Sequence, residues 1–221
     1  QYKAYAEVAK RILPEAAIIR TLDLGGDKLA AAGKMPAESN PFLGWRAIRL
    51  CLARPEMFKV QLRAILRASA HNRGLRIMYP MVGSASEVDQ ADALLAECKA
   101  ELAAAGVAFN PDIEVGVMIE IPSAALTADL IAPKVKFFSI GTNDLVQYTL
   151  AVDRGNERIA RLYEPTHPAV LQLIRHTVEA GRRHGIWTGV CGEVAGNPIL
   201  VPLLLGLGVD ELSTSPGAIP L

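Results

Sequence analysis

Short apolar runs alternate with longer amphipathic stretches along most of the chain. The runs are rich in β-branched residues and stop at glycine, proline or a polar side chain, as strands buried on both faces do. We predict strands at 17–24, 75–82, 114–121, 135–141, 186–191 and 209–214. The stretches between them have the apolar spacing and the length of helices. They cover 55–70, 84–105, 122–133, 167–184 and 197–207.

This alternation predicts a parallel α/β domain, and either an open sheet or a closed barrel fits the order. A (β/α)8 TIM barrel is favoured because polar residues follow nearly every strand, where the loops of a barrel converge. Six units are two short of eight, the chain opens in a helix over 1–13, and it ends directly after the last strand. We therefore expect one domain over 1–221, a partial barrel without its first two strands and final helix. A loop over the barrel mouth is predicted at 25–46.

Composition narrows the class of protein. The chain has 221 residues, of which 51% are hydrophobic and 21% charged, and its formal net charge is zero. These values predict a soluble globular domain, and they argue against nucleic acid or an anionic membrane as the main partner. No apolar run reaches membrane-span length and no signal peptide is apparent. The three cysteines are widely spaced and odd in number, which favours reduced thiols in a cytoplasmic protein.

Two carboxylates follow neighbouring predicted strands. Glu120 ends the run that starts at Val115, and Asp144 ends the next. Paired carboxylates with open positions are what Mg²⁺ or Mn²⁺ usually binds. Because two unscreened carboxylates repel each other, a cation or an arginine is expected between them. The alternative is that each simply caps a helix or pairs with a lysine.

Three arginines lie close to predicted strand ends. Arg20 belongs to the first strand, Arg46 follows the predicted loop, and Arg154 comes shortly after Asp144. An arginine within an apolar strand is costly unless it is paired, and a bidentate anion clamp would explain it. The alternative is a structural salt bridge with an aspartate: Asp23, Asp27 or Asp153.

Cys191 also lies at a predicted strand end, between Gly189 and Gly192. Glycines allow a ligand to approach the backbone closely, and a thiol there could donate a proton or act as a nucleophile. The alternative is a small buried apolar residue, which is the interpretation we give to Cys51 and Cys98.

Several segments together resemble the phosphoenolpyruvate-binding barrel of the phosphoenolpyruvate-utilising enzymes. The resemblance covers essentially the whole chain, and it is closest to the enzyme I branch, the phosphoenolpyruvate–protein phosphotransferases of the bacterial sugar phosphotransferase system. A stand-alone enzyme and a fused multiphosphoryl transfer protein both fit. The resembling segments are 20–28, 40–49, 117–122, 137–156 and 188–193.

The resemblance implies a role for each candidate residue. Glu120 and Asp144 would hold Mg²⁺, with Mn²⁺ as the alternative ion, and Asp144 would also contact the substrate. The phosphoryl group would be bound by the three arginines introduced above, Arg20, Arg46 and Arg154.

Two further roles follow from the same resemblance. Asn143 would orient the phosphate and carboxylate of phosphoenolpyruvate, and Cys191 would protonate the methylene carbon of enolpyruvate. The implied reaction transfers the phosphoryl group of phosphoenolpyruvate to a histidine and releases pyruvate.

The resemblance also implies partners that this sequence does not contain. The acceptor histidine belongs to an N-terminal phosphohistidine domain, which would pass the phosphoryl group to the phosphocarrier protein HPr during sugar uptake. A cytoplasmic homodimer is expected, and this chain alone should not complete turnover. Three alternatives stay open: the corresponding domain of a pyruvate phosphate dikinase or phosphoenolpyruvate synthase, an inactive phosphoenolpyruvate-sensing module, and a Mg²⁺-dependent aldolase or lyase.

Overall fold

The computed structural model describes residues 1–23 and 38–219. The chain divides into two compact units. The first contains residues 1–81 and 86–115, and the second contains residues 82–85 and 116–221. Helices and strands alternate in both.

The first unit contains two parallel strands with helices around them. Ala17 of the first strand is opposite Leu75 of the second, and Arg20 is opposite Met78. The amide of Ile77 donates to the carbonyl of Glu114. The elements of this unit are α1 (Tyr2–Arg11), β1 (Ala17–Arg20), α2 (Ala47–Ala53), α3 (Pro55–Ser69), β2 (Leu75–Tyr79) and α4 (Ala85–Ala104), the last of which starts one residue before the unit resumes.

The second unit contains parallel strands that pair in chain order. Its elements are β3 (Val115–Ile119), α5 (Pro122–Leu126), α6 (Ala128–Ile131), β4 (Phe137–Gly141), α7 (Thr142–Leu150), α8 (Pro168–Arg183), β5 (Trp187–Cys191), α9 (Val201–Leu207) and β6 (Glu211–Leu212). β3 pairs with β4, β4 with β5 and β5 with β6. Over residues 1–23 and 38–219, no helix has both the length and the apolar character needed to cross a membrane.

The parallel α/β prediction is confirmed, but several boundaries differ. β1 ends at Arg20, so this arginine is the exposed last residue of the strand and not a buried one within it. Residues 24–37 of the predicted first strand and loop lie outside the described residues. The predicted helix over 122–133 is two short helices, interrupted at Thr127, whose hydroxyl donates to the Ser123 carbonyl. The helix predicted to start at Asn197 starts at Val201.

Side chains on one face of the second unit's sheet form successive levels. Phe137 and Trp187 are opposite each other in β4 and β5, and their rings stack with centroids 4.6 Å apart. Gly116 of β3 lies against the Phe137 ring, where a Cβ atom would overlap it. The absent side chain of Gly116 therefore makes room for the aromatic level.

Gly116→Ala is expected to destabilise the fold by about 2 kcal/mol, because the added methyl overpacks a fully buried ring. Urea unfolding measures this change. Gly206→Ala is the matched control, since nothing lies within 4 Å of a Cβ built at this exposed position of α9. The control should leave stability unchanged or raise it by up to about 1 kcal/mol, as alanine favours a helix. Equal unfolding midpoints for the two variants would contradict the packing described for Phe137.

Candidate active site

The carboxyl ends of β3, β4 and β5 place a carboxylate and a thiol at one level of the sheet. Ile119 is opposite Ile140, so Glu120, the next residue, lies beside Gly141, which is itself opposite Cys191. A Cβ atom built on Gly141 would be 2.6 Å from Oε2 of Glu120. The Glu120 carboxylate therefore occupies the space above this glycine, and the residue is only 4% exposed.

Asp144 provides a second buried carboxylate near the end of β4. Helix α7 begins at Thr142, directly after the strand, so Asp144, which was predicted to end the strand, lies in the first turn of this helix instead, with 5% exposure. A negative charge there interacts favourably with the amino-terminal end of the helix dipole. The direct passage from strand to helix thus fixes Asp144 without an intervening loop.

Arg154 lies in the turn after α7, and its side chain is beside Asp144. The Arg154 amide donates to Oε1 of Gln147 over 3.1 Å, and the Gly155 amide donates to Oδ1 of Asp153 over 2.8 Å. Nη2 of Arg154 is 3.9 Å from Oδ1 of Asp144. The Arg154 side chain is 37% exposed, so its guanidinium can contact both this carboxylate and a ligand.

Asn143 holds the loop after β5. Its Oδ1 accepts a hydrogen bond from the Glu193 amide over 3.1 Å, while the Thr142 hydroxyl donates to the Cys191 carbonyl over 2.8 Å. Gly192 has a φ of +96°, and a Cβ atom there would be 2.6 Å from Oγ1 of Thr142. Glycine is required at 192 by both its conformation and this close approach. The part of Asn143 that could orient a substrate is therefore its Nδ2 group.

Cys191 is partly exposed, whereas Cys51 and Cys98 are buried. Burial raises the pKa of Cys51 to about 12 and that of Cys98 to about 11. The Cys191 sulphur contacts two consecutive residues of β4, accepting from the Ser139 hydroxyl and donating to the Ile140 carbonyl, each over 3.5 Å. Of the three thiols, Cys191 is the one that a ligand could reach without a change in the fold.

Tyr163 belongs to the same region and was not predicted from the sequence. Its hydroxyl donates to the Asn143 carbonyl over 3.4 Å. The pKa of Tyr163 is raised to about 12, chiefly by burial; Arg154 acts to lower it, and Glu193 and Asp144 act to raise it. Tyr163 follows a short 3-10 turn with no strand-end pattern, so the sequence carried no signal for it.

The first unit brings Arg20 and Arg46 together on one aspartate. Arg46 donates through Nε to Oδ1 of Asp23 over 3.0 Å and through Nη2 to Oδ2 over 2.8 Å. Nη1 of Arg20 is 3.4 Å from the same Oδ2, and the Arg20 side chain is 47% exposed. Asp23 is thus the aspartate that pairs with both arginines, whereas Asp27 lies outside the described residues.

Two carboxylates of the second unit could hold a divalent cation. Within residues 1–23 and 38–219, no three His, Cys, Asp or Glu side chains gather in a way that could hold a metal ion. The second unit offers two buried carboxylates, Glu120 directly after β3 and Asp144 in the first turn of α7. Hard oxygen ligands of this kind fit Mg²⁺, which commonly binds through one or two carboxylates together with water and substrate oxygens.

Solved structures with a similar fold are remote in sequence. An HpcH/HpaI aldolase/citrate lyase family protein from Burkholderia cenocepacia J2315 is 13% identical with a TM-score of 0.52, over 95% of this chain and 81% of that one. Malate synthase from Haloferax volcanii, in a pyruvate/acetyl-CoA ternary complex, is 16% identical with a TM-score of 0.57, over 98% of this chain and 54% of the other. At these identities the likeness shows a shared TIM-barrel-like α/β fold alone.

Sequence relatives are much closer. The phosphoenolpyruvate-protein phosphotransferase of Bacillus subtilis (strain 168) is 53% identical over 97% of this chain and 38% of its own length. The proteins of that name from Geobacillus stearothermophilus and Listeria monocytogenes are 54% and 51% identical, over 97% and 99% of this chain and 37% and 38% of their own. The chain therefore spans somewhat over a third of these relatives. The family model described as "PEP-utilising enzyme, PEP-binding domain", where PEP is phosphoenolpyruvate, matches residues 1–221. The chain therefore belongs to this family.

Proposed function

We propose that this chain is the phosphoenolpyruvate-binding part of a phosphoenolpyruvate–protein phosphotransferase. In the proposed reaction the phosphoryl group of phosphoenolpyruvate passes to a histidine on a separate phosphohistidine domain, and pyruvate is released. The observation that carries the proposal is that Glu120, Gly141 and Cys191 lie side by side at the carboxyl ends of three neighbouring parallel strands. Relatives that are 51–54% identical bear the name of this activity, which supports the assignment.

The phosphate and carboxylate of the substrate need positive charge around them. Glu120 and Asp144 would hold Mg²⁺ or Mn²⁺, and the bound ion supplies part of that charge. Arg154, beside Asp144, would contact the phosphoryl group together with the amino-terminal amides of α7. Arg20 and Arg46 are proposed to bind the phosphoryl group as well, with Asp23 holding the two guanidinium groups in place.

Cys191 would complete the conversion of the substrate to pyruvate. When the phosphoryl group leaves, the methylene carbon of enolpyruvate must gain a proton. The S–H bond of Cys191 breaks, its electron pair remains on the sulphur, and the proton forms a C–H bond at that carbon as the C=C bond gives way to a carbonyl. Asn143 would orient the substrate through Nδ2, because its Oδ1 is engaged by the Glu193 amide.

The partners of this function lie outside the chain. We propose that the phosphohistidine domain is part of the same longer protein, that HPr accepts the phosphoryl group next, and that the pathway serves sugar uptake. The full-length protein is proposed to be a cytoplasmic homodimer.

Pyruvate release from phosphoenolpyruvate tests the proposal. With Mg²⁺ but no phosphohistidine domain the chain should release almost no pyruvate, because the phosphoryl group has no acceptor. A separately produced phosphohistidine domain should restore turnover, and EDTA should abolish it. The same domain with its acceptor histidine changed to alanine is the control. Sustained pyruvate release by the chain alone would contradict a protein-directed transfer.

A further inference from the structure

Ser139 is a polar residue in the otherwise apolar strand β4, and none of the roles above uses it. It is buried, and it shares one face of the strand with Phe137 and Gly141 because side chains alternate along a strand. Its neighbour across the sheet is Gly189, which has no side chain. Ser139 therefore lies one level below the pair formed by Gly141 and Cys191.

The Ser139 hydroxyl reaches the reactive thiol of that upper level. Oγ of Ser139 donates to the Cys191 sulphur over 3.5 Å, and the sulphur donates to the carbonyl of Ile140 over 3.5 Å. Two consecutive residues of β4 thus provide an acceptor for the thiol proton and a donor to the sulphur itself.

We propose that Ser139 is a positioning residue that orients the Cys191 sulphur and stabilises the thiolate left after proton transfer; this inference rests on the proposed function. In that step Cys191 gives its proton to the methylene carbon and retains the electron pair on sulphur. The sulphur then carries a negative charge, and the hydroxyl already points its proton at it. The step needs no other reactant, and a later proton from solvent restores the thiol.

The strength of this contact depends on the state of the sulphur. A hydroxyl donates weakly to a neutral thiol, whereas a hydrogen bond to an ionised acceptor is about twice as strong as one between neutral groups. The contact therefore gains strength as the proton leaves, which is the kind of interaction that accelerates a reaction. A serine needed only to fill space would not require its hydroxyl, since burying a hydroxyl carries a desolvation cost that alanine avoids.

The alkylation rate of Cys191 tests this inference on the chain alone, without substrate. Ser139→Ala should slow alkylation by iodoacetamide at mildly alkaline pH about threefold, because the thiolate loses a hydrogen bond. Ser139→Thr should keep the wild-type rate. Thr188→Val is the matched control, since it removes a buried hydroxyl from the opposite face of β5. Labelling is read at Cys191 by mass spectrometry, with Cys191→Ala giving the background of the two buried thiols.

A second experiment measures how much the contact between Ser139 and Cys191 contributes to proton transfer. It follows the rate at which the methyl protons of pyruvate exchange with D₂O in the presence of Mg²⁺. Ser139→Ala should slow this exchange about tenfold and leave the affinity for phosphoenolpyruvate within about twofold. The inference would be overturned if Cys191 were alkylated as fast in Ser139→Ala as it is in the wild type and in Thr188→Val. If the wild-type chain neither binds phosphoenolpyruvate nor exchanges pyruvate protons while Ser139→Ala still slows alkylation, the proposed function fails and the contact between Ser139 and the Cys191 thiolate stands.

Discussion

Replacing Cys191 with alanine is expected to reduce pyruvate formation about a thousandfold while leaving the affinity for phosphoenolpyruvate within about twofold. General acids typically contribute about 10² to 10⁴ in rate, and in the proposed reaction no other thiol is placed to supply the proton. Binding should persist because the variant keeps both carboxylates and all three arginines. Calorimetry measures the binding, and pyruvate release in the presence of the phosphohistidine domain measures the chemistry.

Cys98→Ala is the matched control for this experiment. Its thiol is buried, and burial raises its pKa to about 11, so its removal should leave turnover unchanged. If Cys191→Ala released pyruvate at the wild-type rate, another group would have to deliver the proton and the assigned role would be wrong. If the variant also failed to bind phosphoenolpyruvate, Cys191 would be needed for substrate binding and not only for proton transfer.

The second large effect is expected at the carboxylates. Glu120→Gln and Asp144→Asn should each weaken Mg²⁺-dependent binding of phosphoenolpyruvate by about 10²-fold or more, since an amide has no charge with which to hold the ion. Both substitutions preserve the size of the side chain, and both variants should remain folded by circular dichroism. Titration of phosphoenolpyruvate with and without Mg²⁺ separates loss of the ion from loss of direct substrate contacts.

Glu164→Gln serves as the control, because it removes an exposed carboxylate of the second unit that accepts from the Thr166 hydroxyl. It should bind phosphoenolpyruvate as the wild type does. If Mg²⁺ strengthened phosphoenolpyruvate binding by Glu120→Gln as much as it does for the wild type, Glu120 would be excluded as a metal ligand. The same result for Asp144→Asn would leave its contact with Arg154 as the role of that carboxylate.

The alternation of strands and helices was predictable because buried parallel strands leave a strong apolar signal. The same rule predicted which residues lie at or shortly after the ends of β3, β4 and β5, since parallel strands present their carboxyl ends at one edge. Glu120, Asp144 and Cys191 could therefore be selected from their positions alone. Their roles remain predictions for the experiments above.

Contacts between side chains distant in sequence could not be predicted. Asp23 was one of three candidate partners for the arginines, and only the tertiary structure shows its bidentate pairing with Arg46. The use of Asn143 to hold Glu193 depends on how the loop after β5 packs against α7. α7 itself escaped prediction because it follows β4 without a loop, so its first turn resembled a continuation of the strand end.

The levels on the second unit's sheet make the chemistry dependent on strand pairing. Glu120, Gly141 and Cys191 meet because three strands are aligned in one register, with the stacked rings of Phe137 and Trp187 two levels below. A slip of one residue between β4 and β5 would turn Cys191 to the opposite face of the sheet. A misfolded molecule of this kind would lose the proposed proton donor altogether and not merely work less well. Activity should thus report the fraction of molecules whose strands have paired correctly.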